Sequence, residues 1–191
     1  QRTILSHILG RMIATDDWAG IVLAAGQGRR MNSKMSKVLH RVCGKELIRY
    51  PVELLRDLGI RQILVVVSPA NAEAVRRLLG DRVEYAVQPA ALGSGDALQY
   101  VRDPLQEGTE HLLVLNADVP LLLPEMLQQL MRRHLIERNE MTLLTGRDMI
   151  APDFGRVLRD DRGWVIALVE AADVANMETL ASSAEEVNGG I

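Results

Sequence analysis

The stretch IVLAAGQGRRMNSKMSKVL, residues 21–39, decides the fold. It opens as an apolar run, turns at Gly26 and Gly28, and then sets four cations, Arg29, Arg30, Lys34 and Lys37, in a segment with neither helical nor strand period. In an open parallel sheet, ligands bind at the C-terminal ends of the strands near a topological switch point, so a glycine loop directly after a first strand is well placed. The loop matches neither familiar phosphate loop. It lacks the Gly-Lys-Ser/Thr of the Walker pattern, and Met31 stands where the dinucleotide fingerprint has its third glycine. On the glycines alone, a tight turn is the better reading. The cations change the balance, because glycines let backbone N–H groups approach an oxyanion while Arg30 and Lys37 add a guanidinium fork and a point charge. The segment reads as a loop for a polyphosphate.

Outward from this loop, short β-branched runs alternate with segments of helical period. GIVLAA (20–25) predicts a strand, LIRYPVELLRDLG (47–59) a helix ending on Gly59, and QILVVV (62–67) a strand stopped by Ser68-Pro69. Residues 71–79 predict a helix ending at Gly80, VEYAV (83–87) a strand, SGDALQYV (94–101) a helix and HLLVLN (111–116) a strand. A long helix over 123–138 and a strand over 141–146 follow; then GRVLRD, a turn at Asp160 to Gly163 and WVIALVE form a hairpin. Pro51 should delay or bend the first helix. Continuous apolar strands such as Ile63 to Val67 and Leu112 to Leu115 predict burial on both faces. The expected class is α/β: a Rossmann-like, three-layer fold with a mostly parallel central sheet and a C-terminal β-hairpin region.

Composition excludes several classes. The 191 residues are 48% hydrophobic and 25% charged, which fits one globular domain. A net charge of −3 gives no general pull toward nucleic acid or an anionic membrane, so an anion has to be held by a local cluster. No apolar run approaches the ~20 residues of a membrane span. The single Cys43 cannot form an internal disulfide, which favours a reducing, cytoplasmic setting. The apolar stretch Ile4 to Ala14 is interrupted by His7 and Arg11 and followed by Asp16-Asp17, unlike a signal peptide. Residues 1–17 are read as an N-terminal extension outside the fold, and 18–191 as the domain.

Three further places carry chemistry. Asp118 ends an apolar strand ahead of Val-Pro, so its carboxylate is expected at the sheet's C-terminal edge, where Mg²⁺ could take an oxygen ligand and bridge phosphates. The plain alternative is a turn aspartate. Gln88 carries donor and acceptor on one amide, and Gly93-Ser94 add backbone and hydroxyl groups, a set suited to the edge of a pyrimidine. His40, His111 and His134 are scattered in sequence without a carboxylate or cysteine at ligand spacing, and read as surface or packing residues. Cys43 has no identifiable catalytic partner.

The order and spacing of these segments resemble a known family. Leu23-Ala24-Ala25-Gly26-x-Gly28-x-Arg30-Met31 with Lys37-Val38-Leu39 is similar to the first signature of sugar-1-phosphate nucleotidyltransferases, closest to the uridyltransferase domain of the bacterial enzyme that is bifunctional with glucosamine-1-phosphate acetyltransferase. Gln88 with Leu92 to Gly95, Asp118 to Leu121, Phe154 to Arg156, Val169-Glu170 and Glu186 to Asn188 continue the match. The resemblance implies that Leu23, Ala24, Ala25, Gly26, Gln88, Gly93 and Ser94 bind the nucleotide, that Arg30 and Lys37 are catalytic, and that Asp118 holds Mg²⁺. It also implies that Gly155, Glu170 and Asn188 bind the sugar phosphate. The expected reaction joins N-acetylglucosamine 1-phosphate to UTP with release of pyrophosphate, for cell-wall precursor synthesis.

Five positions depart from the family pattern: Arg29 stands for a threonine, Ser36 for a proline, Asn116-Ala117 for Tyr-Gly, and Asp96 for a histidine. They keep open a guanylyl-, thymidylyl- or molybdopterin nucleotidyltransferase, or a silent nucleotide-sugar-binding regulatory subunit. Residues 186–191 resemble a strand in the middle of the family's catalytic domain. The chain is therefore expected to continue past Ile191, to a second metal ligand and through a region that could also support an oligomer. A terminus at Ile191 would leave the last strand and the sheet edge without neighbours.

Overall fold

A computed structural model describes residues 13–26, 33, 35–147, 155–169 and 186–189. The chain divides into two compact units, Gln1–Ile136 and Glu137–Ile191.

The first unit runs β1 (Trp18–Leu23), a 3₁₀ turn (Lys37–Leu39), a small hairpin of β2 (Arg41–Val42) and β3 (Lys45–Glu46), α1 (Arg49–Asp57), β4 (Gln62–Val67), α2 (Ala72–Leu79), β5 (Glu84–Val87), α3 (Ser94–Gln99), β6 (His111–Asn116) and α4 (Pro124–Glu137). β1, β4, β5 and β6 form one parallel sheet in the order β5-β4-β1-β6. The chain moves outward from β1 through β4 to β5 and then returns to the far side of β1 to lay down β6. The order reverses beside β1, and a crevice opens at the C-terminal ends of the strands on either side of such a reversal.

Helices cover both faces of this sheet. Ala19 and Ile21 of β1 pack with Leu64, Val66, Ala97 and Val101 in one cluster on the α3 side. On the other face a Cβ on Gly20 would come within 2.8 Å of Leu55 Cδ1, so the glycine lets α1 approach the strand closely. β4 is buried along its whole length, as its unbroken apolar run predicts. β6 differs from expectation: Leu113 and Leu115 are buried while Leu112 is 39% exposed. One of the two edge strands of the four, it alternates in the manner of a half-covered strand. α1 begins at Arg49 rather than Leu47, which leaves Pro51 in the first turn where an N–H has no intrahelical acceptor to lose.

Hydrogen bonding reaches back ahead of the boundary expected at residue 18. Thr15 Oγ1 donates to the Gly59 carbonyl at 3.0 Å, and the Asp17 carbonyl accepts from the backbone N–H groups of Glu110 and His111 at 2.9 and 3.1 Å. Residues 1–12 lie outside the described residues. Cys43 is exposed at the tip of the β2–β3 hairpin with φ 51°, followed by Gly44 at 81°, a turn role.

The second unit is an antiparallel sheet of β7 (Thr145–Arg147), β8 (Arg156–Arg159), β9 (Val165–Val169) and β10 (Glu186–Asn188), in the order β7-β10-β8-β9. β8 and β9 are the expected hairpin around Asp160 to Gly163. Two expectations are corrected. The strand over 141–146 begins only at Thr145, because its partner β10 offers three residues of pairing, Glu186↔Arg147 to Asn188↔Thr145. β10 is not left without neighbours, since it bonds β7 on one side and β8 on the other.

Candidate active site

Three loops leave the parallel sheet at one level. Ala24 N–H donates to Val66 O at 2.8 Å, Ala117 N–H to Leu23 O at 3.0 Å, and Gln88 N–H to Val67 O at 2.9 Å. These bonds extend the strand pairing just past β1, β6 and β5, so the chain diverges with its next residues at the C-terminal edge. There a cleft of about 370 Å³ is lined by Leu23 to Gly26, Lys37, Val38, Gln88, Ala91, Gly93, Ser94, Ala97, Asn116 and Asp118. Nine residues singled out from sequence, Leu23, Ala24, Ala25, Gly26, Lys37, Gln88, Gly93, Ser94 and Asp118, thus meet in one place. Arg30 and Glu170 lie outside the described residues, as does most of the cationic loop.

Lys37 reaches the cleft from the 3₁₀ turn. The turn is anchored by the buried Val38, whose carbonyl accepts from Ile48 N–H at 3.0 Å, and by Leu47 N–H to His40 O at 2.9 Å. The Lys37 ammonium pairs directly with Asp118 Oδ2, across 81 residues of chain. Both side chains remain open to solvent, 38% and 32% exposed. A partly solvated pair of this kind adds little to stability, so its groups can be redirected toward a ligand at small cost.

Gln88 is 4% exposed, and its Nε2 donates to Asp96 Oδ2 at 2.7 Å and to Gly93 O at 3.2 Å. Gly93 has φ +106°, a backbone state that a side chain disfavours. Asp96, in sequence only a departure from the family pattern, holds a residue of the cleft.

Asn71 escaped sequence reasoning altogether. Its side chain is 4% exposed; Nδ2 donates to Ala24 O at 2.8 Å and to Ser36 Oγ at 3.1 Å, and Oδ1 accepts from Ser68 N–H at 2.9 Å. It therefore joins the residues on either side of the cationic loop to the end of β4. Ser36, the second departure, supplies one of these contacts. The only prior signal was an asparagine two residues after Ser68-Pro69, a common turn composition.

In the second unit, Asn188 N–H donates to Gly155 O at 3.0 Å, which brings together two of the three residues assigned to the sugar phosphate. The dominant polar feature of this unit is Glu186. It accepts from Arg159 Nε at 2.6 Å, Arg159 Nη2 at 2.7 Å and Thr145 Oγ1 at 2.6 Å. The Arg159 guanidinium, chiefly through its hydrogen bonds, holds the Glu186 carboxyl down at about 2.

Two of the histidines, His111 and His134, are packing residues, as read from sequence, though the fold also brings carboxylates near His111. His134 Nε2 lies 3.3 Å from His111 Nδ1, and His111 Nε2 lies 4.0 Å from Asp17 Oδ2. Trp18 packs against both rings, tilted by 33° over His111 and edge-on to His134. Asp17, Glu110 and His111 bring ligand-type atoms within 4.8 Å of one another. Parallel pairing of Trp18 with His111 assembles this group at the N-terminal ends of β1 and β6, the opposite end of those strands from the cleft. Burial, and then the neighbouring His111, push the His134 imidazole below its ordinary value.

Known proteins resemble this chain in sequence and in fold. Residues 20–176 match the model of the MobA-like NTP transferase domain. The bifunctional protein GlmU of Caldanaerobacter subterraneus subsp. tengcongensis is 36% identical over 177 residues, 92% of this chain and 37% of the relative. The bifunctional protein GlmU of Exiguobacterium sibiricum is 40% identical over 170 residues, 89% of this chain and 37% of the relative. The chain thus spans little more than a third of the length of these relatives. Among solved structures, a Bacillus anthracis protein assigned as a glucose-1-phosphate thymidylyltransferase superposes with a TM-score of 0.67 at 20% identity, covering 91% of this chain and 69% of that one. The inositol-1-phosphate CTP transferase from T. maritima gives 0.60 at 18% identity, covering 90% and 68%. These two establish the likeness of fold. Among the described residues, no helix is long and apolar enough to cross a membrane.

Proposed function

The chain belongs to the MobA-like NTP transferase family, and from that premise we propose that it transfers the uridylyl group of UTP to N-acetylglucosamine 1-phosphate, releasing pyrophosphate and giving UDP-N-acetylglucosamine for cell-wall precursor synthesis. The observation that carries the reading is the convergence of Lys37, Asp118, Gln88, Gly93, Ser94 and the Leu23 to Gly26 backbone on one cleft at the C-terminal edge of a parallel sheet. The identity to proteins named GlmU, 36% and 40% in two cases, supports the choice of sugar and base.

The reaction asks for no protein nucleophile. A phosphate oxygen of the sugar 1-phosphate is already anionic near neutral pH; it bonds to the α-phosphorus of the triphosphate as the bond to the bridging oxygen breaks and pyrophosphate leaves. Catalysis is then positioning and charge neutralisation. Lys37, partly solvated and held by a single carboxylate, exchanges Asp118 for the α-phosphate and the incoming phosphate. The Gly26 to Arg29 backbone and Arg30 hold the leaving β,γ-phosphates, while Gln88, Gly93 and Ser94 take the base. Gly155, Glu170 and Asn188 take the sugar phosphate.

The residues present suit a divalent metal. Asp118 is the one carboxylate among the described residues lining the cleft, and Asn116 adds an amide oxygen two positions before it. Mg²⁺ takes hard oxygen ligands, retains water and completes its shell from substrate phosphates, so it needs few protein groups. When bound there it would neutralise charge developing on the phosphates.

A panel of UTP, CTP, GTP and dTTP against several sugar 1-phosphates, with Mg²⁺ and pyrophosphate detection, tests the proposal. UTP with N-acetylglucosamine 1-phosphate should turn over fastest. Faster turnover with GTP or dTTP would assign another nucleotidyltransferase reaction. Tight binding of nucleotide sugar without turnover of any pair would identify a silent binding subunit.

A further inference from the structure

The Gln88 amide carries information that its residue type does not. A glutamine free to rotate offers either a donor or an acceptor to a ligand. Here both hydrogens of the Nε2 group are used, one by the Asp96 carboxylate at 2.7 Å and one by the Gly93 carbonyl at 3.2 Å. Neither partner oxygen can donate, so the assignment of nitrogen and oxygen on this amide follows from the network itself. Rotation by 180° would set Oε1 against a carboxylate and a carbonyl, losing a charge-assisted bond and creating two repulsive contacts. The residue is 4% exposed and fixed at its backbone by the bond to Val67 O, so it has little room to choose another arrangement. Its Oε1 accepts no hydrogen bond from a described residue, and Gln88 lines the cleft.

We propose that Asp96 is the positioning residue that sets base selectivity: it locks Gln88 as a pure acceptor, so that the cleft favours nucleobases whose Watson–Crick ring nitrogen carries a hydrogen. Uracil and thymine at N3 and guanine at N1 meet this requirement. Cytosine at N3 and adenine at N1 present a lone pair there, which would face the Gln88 carbonyl oxygen without a proton between them. Asp96 does not line the cleft and acts only through the amide it holds. The carbonyl groups that flank N3 of uracil cannot be read by Gln88, whose donors are spent, and fall to the Gly93 N–H or the Ser94 hydroxyl and N–H. This inference rests on the proposal that the cleft takes a nucleoside triphosphate, and it narrows that proposal from a pyrimidine edge to a protonated one.

The test is calorimetric binding of UTP, CTP and N3-methyl-UTP to the full chain with Mg²⁺, in the wild type and in Asp96→Ala and Asp96→Asn. Wild type should bind UTP at least roughly tenfold more tightly than CTP or N3-methyl-UTP, the loss expected when a buried acceptor is left facing a group that cannot donate. Both substitutions should narrow the UTP-to-CTP ratio, by roughly tenfold for the alanine and less for the asparagine, which can still accept from Gln88. A uniform weakening of all three nucleotides in the variants, with the ratio unchanged, would reduce Asp96 to a structural residue and overturn the inference. Equal binding of UTP, CTP and N3-methyl-UTP by the wild type would overturn it without any variant, while leaving the nucleotide cleft intact. Absence of binding by any triphosphate would instead remove the cleft's assignment, and this inference with it.

Discussion

The first unit contains the pair Lys37–Asp118 and the second the pair Arg159–Glu186, and the two differ in kind. Lys37–Asp118 is a single contact between side chains about a third exposed, in the lining of a cleft where three strand ends meet. Arg159–Glu186 is two-pronged, adds Thr145 as a further donor, and leaves the glutamate side chain only 10% exposed. Loss of a partner from a buried, multiply bonded carboxylate leaves its desolvation uncompensated, so such a pair is held shut. A solvated single contact costs little to open. Residue type alone would have treated the two pairs alike; geometry marks one as exchangeable and the other as fixed.

The largest effects are expected at the cleft. Asp118→Ala should reduce Mg²⁺-dependent pyrophosphate release by about a thousandfold or more, and Lys37→Ala should lower kcat by roughly 10²–10³ with a smaller effect on KM, since its charge matters most as phosphate charge redistributes. Neither substitution should change the melting temperature much, because the pair is weakly stabilising. Steady-state kinetics alongside thermal unfolding checks both parts, and a large drop in Tm with full activity per folded molecule would invert the assignment.

Glu186 should behave in the opposite way. Its carboxyl titrates at about 2 in the folded chain against an ordinary 4.5, so its stabilising contribution is complete above 4.5 and disappears as pH falls through that value toward 2. The shift corresponds to about 3 kcal/mol. Glu186→Gln should remove most of that contribution at neutral pH and flatten the stability profile between pH 4.5 and 2, as followed by denaturant unfolding across that range. An unchanged profile would show that the pair does not hold the sheet.

Asn71→Ala should have a smaller effect, about 1–2 kcal/mol, from leaving the Ala24 carbonyl and the Ser68 N–H without their partner. Because Asn71 joins Ala24 to Ser36 across the cationic loop, KM for the triphosphate should rise by more than kcat falls. A pure stability loss with unaltered kinetics would limit Asn71 to packing.

Much of this arrangement was legible in the sequence. The β/α alternation was readable because the strands are short and apolar and helices α1 and α2 run up to Gly59 and Gly80. The cleft was readable because its residues follow strand ends, which a parallel sheet places along one edge. Contacts chosen by the folded chain were not readable. Asn71 meets Ala24 across 47 positions, and Asp96 is distinguished from a surface aspartate only by the amide it faces. The meeting of His111 with Asp17 and His134 depends on the register of β1 and β6, which no local pattern encodes. Leu112 is exposed because β6 is an edge strand, a fact of strand order rather than of composition.

The most direct test of nucleotidyl transfer follows the phosphorus atoms of UTP. With Mg²⁺ and N-acetylglucosamine 1-phosphate, label in the α-position should appear in UDP-N-acetylglucosamine and label in the γ-position in pyrophosphate, both only when the sugar phosphate is present. Release of γ-label as orthophosphate, or of α-label as free UMP with no sugar nucleotide formed, would mean that the cleft hydrolyses triphosphates, and would contradict the account.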